Sequence, residues 1–216
     1  MCHDLDVDIF CVSDTFLYPS LNNSVVNINK YTLYRNDFVT YRPMYGVCCY
    51  IKTNIKVTPA KTNIPNTLTL ALPDYGITIC TIYKPPSNSN EENLALISLI
   101  EQLSMEGETI FVGDFNLPSI NWCSDGLSTQ QHGISSGDRL FANLFATLGL
   151  TQWVNEPTFL HSNNILDLVL STESDRIINL TTHPPFHHRC GHLLIVFEYL
   201  FQSLASNVET QAPSII

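Results

Sequence analysis

An apolar run, Thr109-Ile110-Phe111-Val112, breaks at a glycine and then delivers a carboxylate and a carboxamide two residues apart, in Gly113-Asp114-Phe115-Asn116-Leu117-Pro118. In an extended segment residues i and i+2 point to the same side, so Asp114 and Asn116 are expected to face one cleft where the strand ends. A carboxylate can hold a hard divalent cation or activate water, and a carboxamide can hydrogen-bond a phosphate oxygen without adding negative charge. The combination points to phosphodiester cleavage. Turns also use Gly, Asp, Asn and Pro for backbone reasons alone, so this run by itself leaves an ordinary strand-end turn open.

The rest of the chain sets the frame for such a site. Its 216 residues suit one domain with an ample apolar core. Strand-like runs recur over Asp8–Ser13, Gly46–Ile51, Thr67–Leu72, Gly76–Tyr83, Thr109–Val112, Leu166–Leu170 and Leu193–Tyr199. Helical spacing appears over Asn90–Ser104, with Leu94, Ile97, Ile100 and Leu103 on one face. It appears again over Gly137–Leu148, with Leu140, Leu144 and Leu148. Many strands and few helices predict packed sheets with helices outside them. The polar stretch after Phe201 reads as a frayed tail, residues 201–216.

A net charge of -10 with only ten basic residues argues against a broad basic nucleic-acid surface. It is compatible with a carboxylate-lined cation site. Seven cysteines without C-x-x-C spacing read as buried reduced thiols. Together with the absence of a long apolar run or leader, they predict a soluble intracellular protein, nuclear or cytoplasmic, with no membrane partner. The segment His183-Pro184-Pro185-Phe186-His187-His188-Arg189-Cys190-Gly191-His192 carries possible zinc ligands. Its prolines and irregular spacing favour a surface loop with one functional histidine, His192. His132 and His161 read as loop residues.

Four segments fall in a familiar order: Asp8 to Leu17, ending a strand in Asp14; Ile82-Tyr83-Lys84-Pro85-Pro86-Ser87; the GDFN run; and Leu166-Asp167-Leu168-Val169-Leu170-Ser171. They resemble the endonuclease/exonuclease/phosphatase superfamily, and most of all the apurinic-type endonuclease domain of non-LTR retrotransposons. Trp153 to Thr158 and Tyr31 to Asp37 strengthen that comparison. The resemblance spans residues 5–200. It implies an α/β fold, a four-layered α/β/β/α sandwich of two mixed sheets, that hydrolyses DNA phosphodiesters with magnesium or manganese. It also implies a reverse transcriptase module, lost or separate. Carried over position by position, Asp114 activates water, Asn116 binds phosphate, Tyr83 donates to phosphate, Asp167 orients an imidazole, His192 is that imidazole, and Asp14 holds the cation with Asp114.

Three departures stand against full activity. Asp14 occupies the position of a family glutamate, one methylene longer. Cys190-Gly191-His192 stands where the family has Ser-Asp-His, so Gly191 removes a carboxylate. The family's first strand, with its Asn, is missing, which is expected to leave an exposed sheet edge. The expectations are therefore a DNA-nicking endonuclease, a catalytically dead remnant or binding module of the same fold, or a sibling phosphoesterase acting on a lipid headgroup or RNA.

Overall fold

The computed structural model describes residues 7–38, 45–122, 133–187, 189–201 and 214–215. His132, His188, Cys2, Cys123, most of the Asn121–Asp138 loop and residues 202–213 of the expected tail lie outside these.

In chain order the strands and helices are β1 (Ile9–Ser13), β2 (Tyr31–Asn36), β3 (Val47–Lys52), β4 (Thr58–Pro59), β5 (Thr67–Leu72), β6 (Ile77–Tyr83), α1 (Asn90–Glu106), β7 (Thr109–Asp114), α2 (Ser136–Leu148), β8 (Thr151–Gln152), β9 (Asp167–Ser171), β10 (Ile177–His183), β11 (Leu194–Tyr199) and β12 (Ser214–Ile215). One sheet runs β4-β5-β6-β7-β9-β8, with β6 and β7 parallel and the other pairs antiparallel. The other runs β10-β11-β12-β1-β3-β2 and is also mixed, since β12 lies parallel to β1.

Alternation along the central strands explains the layering. Ile110, Val112 and Val169 pack between the sheets with Ile9, Cys49 and Phe197. Phe111, Leu168 and Leu170 point the other way, against Leu99 and Ile100 of α1 and Phe141 and Phe145 of α2. Strands covered on both faces therefore read as nearly continuous apolar runs. Both helices lie on this outer side. The outer face of the sheet that contains β1, at Phe10, Tyr31, Cys48 and Tyr50, is covered by Leu17 and Ile28 from a segment whose only helical turn is Asn23–Val25.

Several expectations shift on contact with these packing partners. The buried face of α1 is Asn93, Leu96, Leu99, Ile100 and Leu103, while Leu94 is exposed. In α2 it is Phe141, Ala142, Leu144 and Phe145, with Leu140 exposed. The expected stripes are rotated from the buried ones: in α1 Leu96 and Leu99 are buried where Leu94 was expected, and in α2 Phe141 and Phe145 supply the apolar area that Leu140 does not. Helix α1 starts at a Ser89 cap, whose hydroxyl accepts from Glu92 N while Glu92 returns a bond to Ser89 N. Cys190 is exposed rather than buried. Among the described residues, β10-β11 and β1-β3-β2 are joined only through the two residues of β12. Without it the strands would form three groups.

Nor does the strand break at Gly113. β7 runs through it to Asp114, because Gly113 pairs with Ile82 in the parallel ladder. Gly113 has φ +129°, and a Cβ there would lie 2.0 Å from the Ile82 carbonyl oxygen. Gly113→Ala is expected to cost about 3 kcal/mol or more, since strain and a backbone clash add. Urea unfolding of the purified variant checks this, and a loss within about 0.5 kcal/mol of zero would show that the ladder tolerates a side chain.

Candidate active site

Strand register brings the first three functional side chains together. Tyr83 of β6 pairs with Asp114 of β7, and Asp114 pairs with Asp167 of β9, so the three stand in one row across adjacent strands. Residues paired across neighbouring strands share a face. All three are buried.

The fourth arrives from a loop. His192 forms an isolated bridge with Phe159, and its ring sits 4.7 Å from the Phe159 ring. Its Nδ1 donates to Asp167 Oδ2 at 2.8 Å, and its Nε2 lies 3.9 Å from Asp114 Oδ2. Asp14 comes from the other sheet, one residue past β1, with a left-handed φ of +54°. Tyr83, Asp114 and His192 all act electrostatically on it. Of the sequence-predicted residues, Asp14, Asp114, Asp167 and His192 line one cleft, and Tyr83 and Asn116 stand against Asp114 beside it.

Asn116 reaches Asp114 by a different route from the one expected. Its φ is +44°, so the chain turns here and the strand pleat does not set the geometry. Asn116 N donates to Asp114 Oδ1 at 3.0 Å, and Nδ2 donates to Asp114 Oδ2 at 2.9 Å and to the Lys84 carbonyl at 3.1 Å. Short polar side chains tolerate this backbone and bond locally, which is what a turn needs.

Two further residues hold the row in place. Buried Lys84 donates from Nζ to the Asn116 carbonyl at 3.1 Å and lies over the Phe141 ring. Burial lowers its pKa, opposed by Asp138 and Asp114. Thr158, fully buried, accepts from both Leu166 N and Asp167 N through Oγ1 at 3.0 Å, and its carbonyl accepts from Leu193 N at 2.8 Å. It ties the start of β9 to the residue after His192. Both were visible in quoted motifs, but a polar residue beside proline gives no signal of its partners until the loops are placed.

Burial pushes the Asp114 carboxyl up to about 7, helped by Asp167 and Asp14 and opposed by His192 and the Asn116 amide. Burial also raises Asp14, against the pull of Tyr83, His192 and the Tyr45 backbone. For His192 desolvation lowers the pKa, but the hydrogen bond to Asp167 and the charges of Asp167, Asp114 and Asp14 outweigh it, so the net shift is upward. Desolvation, with Asp14 and Asp114, keeps the Tyr83 phenol protonated far above its usual range.

The donors suit a hard cation. Asp114, Asp167 and His192 offer ligand atoms all within 4.8 Å of one another, and this buried cluster is able to hold a divalent metal. Asp14 is not one of those three, but its Oδ1 is buried with no hydrogen-bond partner, as a carboxylate prepared for a cation would be. At Gly191 no carboxylate exists, and the space is taken: a Cβ there would meet the Phe159 ring at 2.6 Å and His161 at 2.9 Å.

A cleft of clustered carboxylates and an imidazole beside mixed sheets, with the two helices outside, goes with an α/β fold related to the DNase I-like nuclease superfamily. Residues 77–196, more than half of the chain, match the family described as endonuclease-reverse transcriptase, and the chain belongs to that family. Among solved structures, the endonuclease domain of TRAS1, a telomere-specific non-LTR retrotransposon, is 15% identical with a TM-score of 0.66, covering 91% of this chain and 87% of its own. An AP endonuclease from Archaeoglobus fulgidus is 12% identical at TM-score 0.63, covering 92% and 91%. The AP endonuclease LMAP from Leishmania major is 12% identical at 0.70, covering 90% and 78%. At these identities the likeness is one of fold. Among curated proteins none matches. No helix of the described residues is long and apolar enough to cross a membrane.

Two outcomes follow for the isolated protein. Asp114, Asp14 and His192 all have raised folded-state pKa values, so the folded state holds protons that the unfolded chain releases. Their stabilising contribution is complete at low pH and is lost as pH rises from about 4 through about 7. The thermal midpoint without divalent cation is expected to fall by several degrees between pH 5 and pH 8, and Asp114→Asn to flatten the slope. A midpoint that rises over this interval would contradict it. Thr158→Val leaves two backbone N–H groups unpaired, and should cost about 1–3 kcal/mol in urea unfolding.

Proposed function

We propose that this chain is a metal-assisted phosphodiesterase of the DNA-nicking type, derived from a retrotransposon endonuclease with which a reverse transcriptase module, lost or separate, was associated. The observation that carries it is the Tyr83–Asp114–Asp167 row, with His192 Nδ1 at 2.8 Å from Asp167. The fold is taken as a variant of the four-layered sandwich over residues 5–200, with the Asn23–Val25 segment standing in the outer helical layer.

In this reading Asp114 accepts the proton of the attacking water, a role its pKa of about 7 suits near neutrality. Asn116 and Lys84 hold that carboxylate and its turn rigid, since both amide protons of Asn116 are engaged. Asp167 fixes the tautomer of His192, whose protonated ring stabilises charge on the phosphoryl oxygens. Tyr83 keeps its proton and donates it in a hydrogen bond to phosphate. A bound magnesium or manganese ion, held by Asp14 and Asp114, would neutralise phosphate charge.

One observation favours a second reading, a non-catalytic remnant. Gly191 abuts Phe159, so the missing carboxylate cannot be restored by substitution alone.

Nicking of supercoiled plasmid with magnesium or manganese separates the two. Under the first reading the protein nicks, and Asp114→Asn or His192→Ala lowers the rate by about 100-fold to 1,000-fold. A folded protein that does not nick, and turns over neither RNA nor a phospholipid headgroup, supports the remnant. Turnover of RNA or headgroup without nicking would reassign the substrate. Gly191→Asp alone should destabilise the fold, whereas paired with Phe159→Ala it should fold and raise activity. Equal stability of the single variant and the parent would contradict the clash.

A further inference from the structure

Asp14 and the Tyr83–Asp114–Asp167 row stand on different sheets, so a contact that spans the sheets has to fix one against the other. A site that holds a cation needs its ligands placed to within about 0.5 Å. Asp14 lies one residue past β1, outside the ladder, with φ +54°. The turn before β3 ties down the two residues that follow it. Thr15 N donates to the Gly46 carbonyl at 3.2 Å, and Phe16 N to the Tyr45 carbonyl at 2.9 Å. Tyr45 itself has φ +61°. A bulky residue rarely enters that region, so its conformation persists only where the surroundings enforce it.

The enforcing contact comes from the other sheet. Gly46 N donates to Asn66 Oδ1 at 3.0 Å, a buried bond across twenty residues of chain. Asn66, one residue before β5, is 5% exposed and has φ +58°. A short amide in a left-handed turn ordinarily bonds its own neighbouring backbone, but this oxygen is spent on a distant turn. The Asn66 carbonyl meanwhile accepts from Tyr83 N at 2.9 Å. Asn36 of β2 braces the same place, its Nδ2 donating to the Thr67 carbonyl at 2.8 Å. Against the rise that burial imposes on Asp14, the Tyr83 side chain and the Tyr45 backbone each pull its pKa down through a hydrogen bond. Asn66 thus holds both of the places from which Asp14 is reached.

We propose that Asn66 is a positioning residue of the candidate site: its side-chain oxygen holds the Tyr45–Gly46 turn and with it the loop of Asp14, while its carbonyl holds Tyr83. One buried residue then fixes the carboxylate at the end of β1 against the row on the other sheet. The position asks for a short side chain with a terminal oxygen that also tolerates a left-handed backbone, which narrows it to Asn or Asp. The consequence for metal binding rests on the reading of Asp14 as a cation ligand, whereas the backbone consequence does not.

Asn66→Gly keeps the backbone conformation and removes the acceptor, and Asn66→Asp keeps both. In the metal-free full chain, hydrogen exchange at the Thr15 and Phe16 amides is expected to quicken about tenfold or more in Asn66→Gly and to stay within about threefold of the parent in Asn66→Asp. The Phe115 amide, which donates to the Leu166 carbonyl beside the row, should not change in either. Manganese binding, followed by the electron paramagnetic resonance of the free ion, should weaken about 10-fold to 100-fold in Asn66→Gly and recover in Asn66→Asp. Unchanged exchange at Thr15 and Phe16, equal quickening at Phe115, or unchanged affinity in a protein whose Asp14→Asn variant loses manganese overturns the proposal. A Gly46 amide that exchanges in the parent as fast as an unbonded one overturns it without any variant. A parent that binds no manganese, or binds it equally after Asp14→Asn, refutes the cation reading of Asp14 instead, and the exchange rates then decide on Asn66 by themselves.

Discussion

Only a residue without a side chain fits between β6 and β7 at position 113. With the Ile82 carbonyl 2.0 Å from where a Cβ would stand, Gly113 lets the parallel ladder continue to its last pair, Tyr83 with Asp114. That pair sets the site. β9 then pairs Asp167 with Asp114, and the three polar groups stand abreast at the end of an apolar sheet. A slip of one residue would turn every one of them to the opposite face, so the register is as much a part of the chemistry as the side chains.

Gathering carboxylates in a buried cleft is costly, and the local structure answers that cost in two ways. Asn116 satisfies both oxygens of Asp114, and His192 Nδ1 donates a hydrogen bond to Asp167. Asp14 has no such relief on Oδ1. A buried carboxylate oxygen without a partner at the end of a cleft is one that a divalent cation would satisfy. At Gly191 the space a side chain would take is filled by the Phe159 ring, which also packs on the His192 ring.

Much of this was legible in the sequence, for a definite reason. Strands β5, β6, β7, β9 and β11 announce themselves by runs of β-branched and apolar residues, and the ordered motifs located Tyr83, Asp114, Asn116, Asp167 and His192. Long-range pairing was not legible. Nothing local distinguishes Thr158 or Lys84 from any polar loop residue, because their roles lie in bonds to Asp167 and Asn116 made only after folding. β10 escaped because its alternation Ile177, Asn179, Thr181 is mostly polar, as suits an outer strand. β12 escaped because two residues in a polar tail carry no pattern, though they close the sheet.

The hydrogen bond between Asp167 and His192 is the contact through which row and loop become one site. Titrating the His192 imidazole by NMR in the parent chain and in Asp167→Asn tests it without reference to any substrate. The account predicts a pKa above the ordinary histidine value in the parent, falling when Asp167 loses its charge. An imidazole that titrates at the ordinary value and ignores the substitution would contradict it, because the row and the loop would then not form one site.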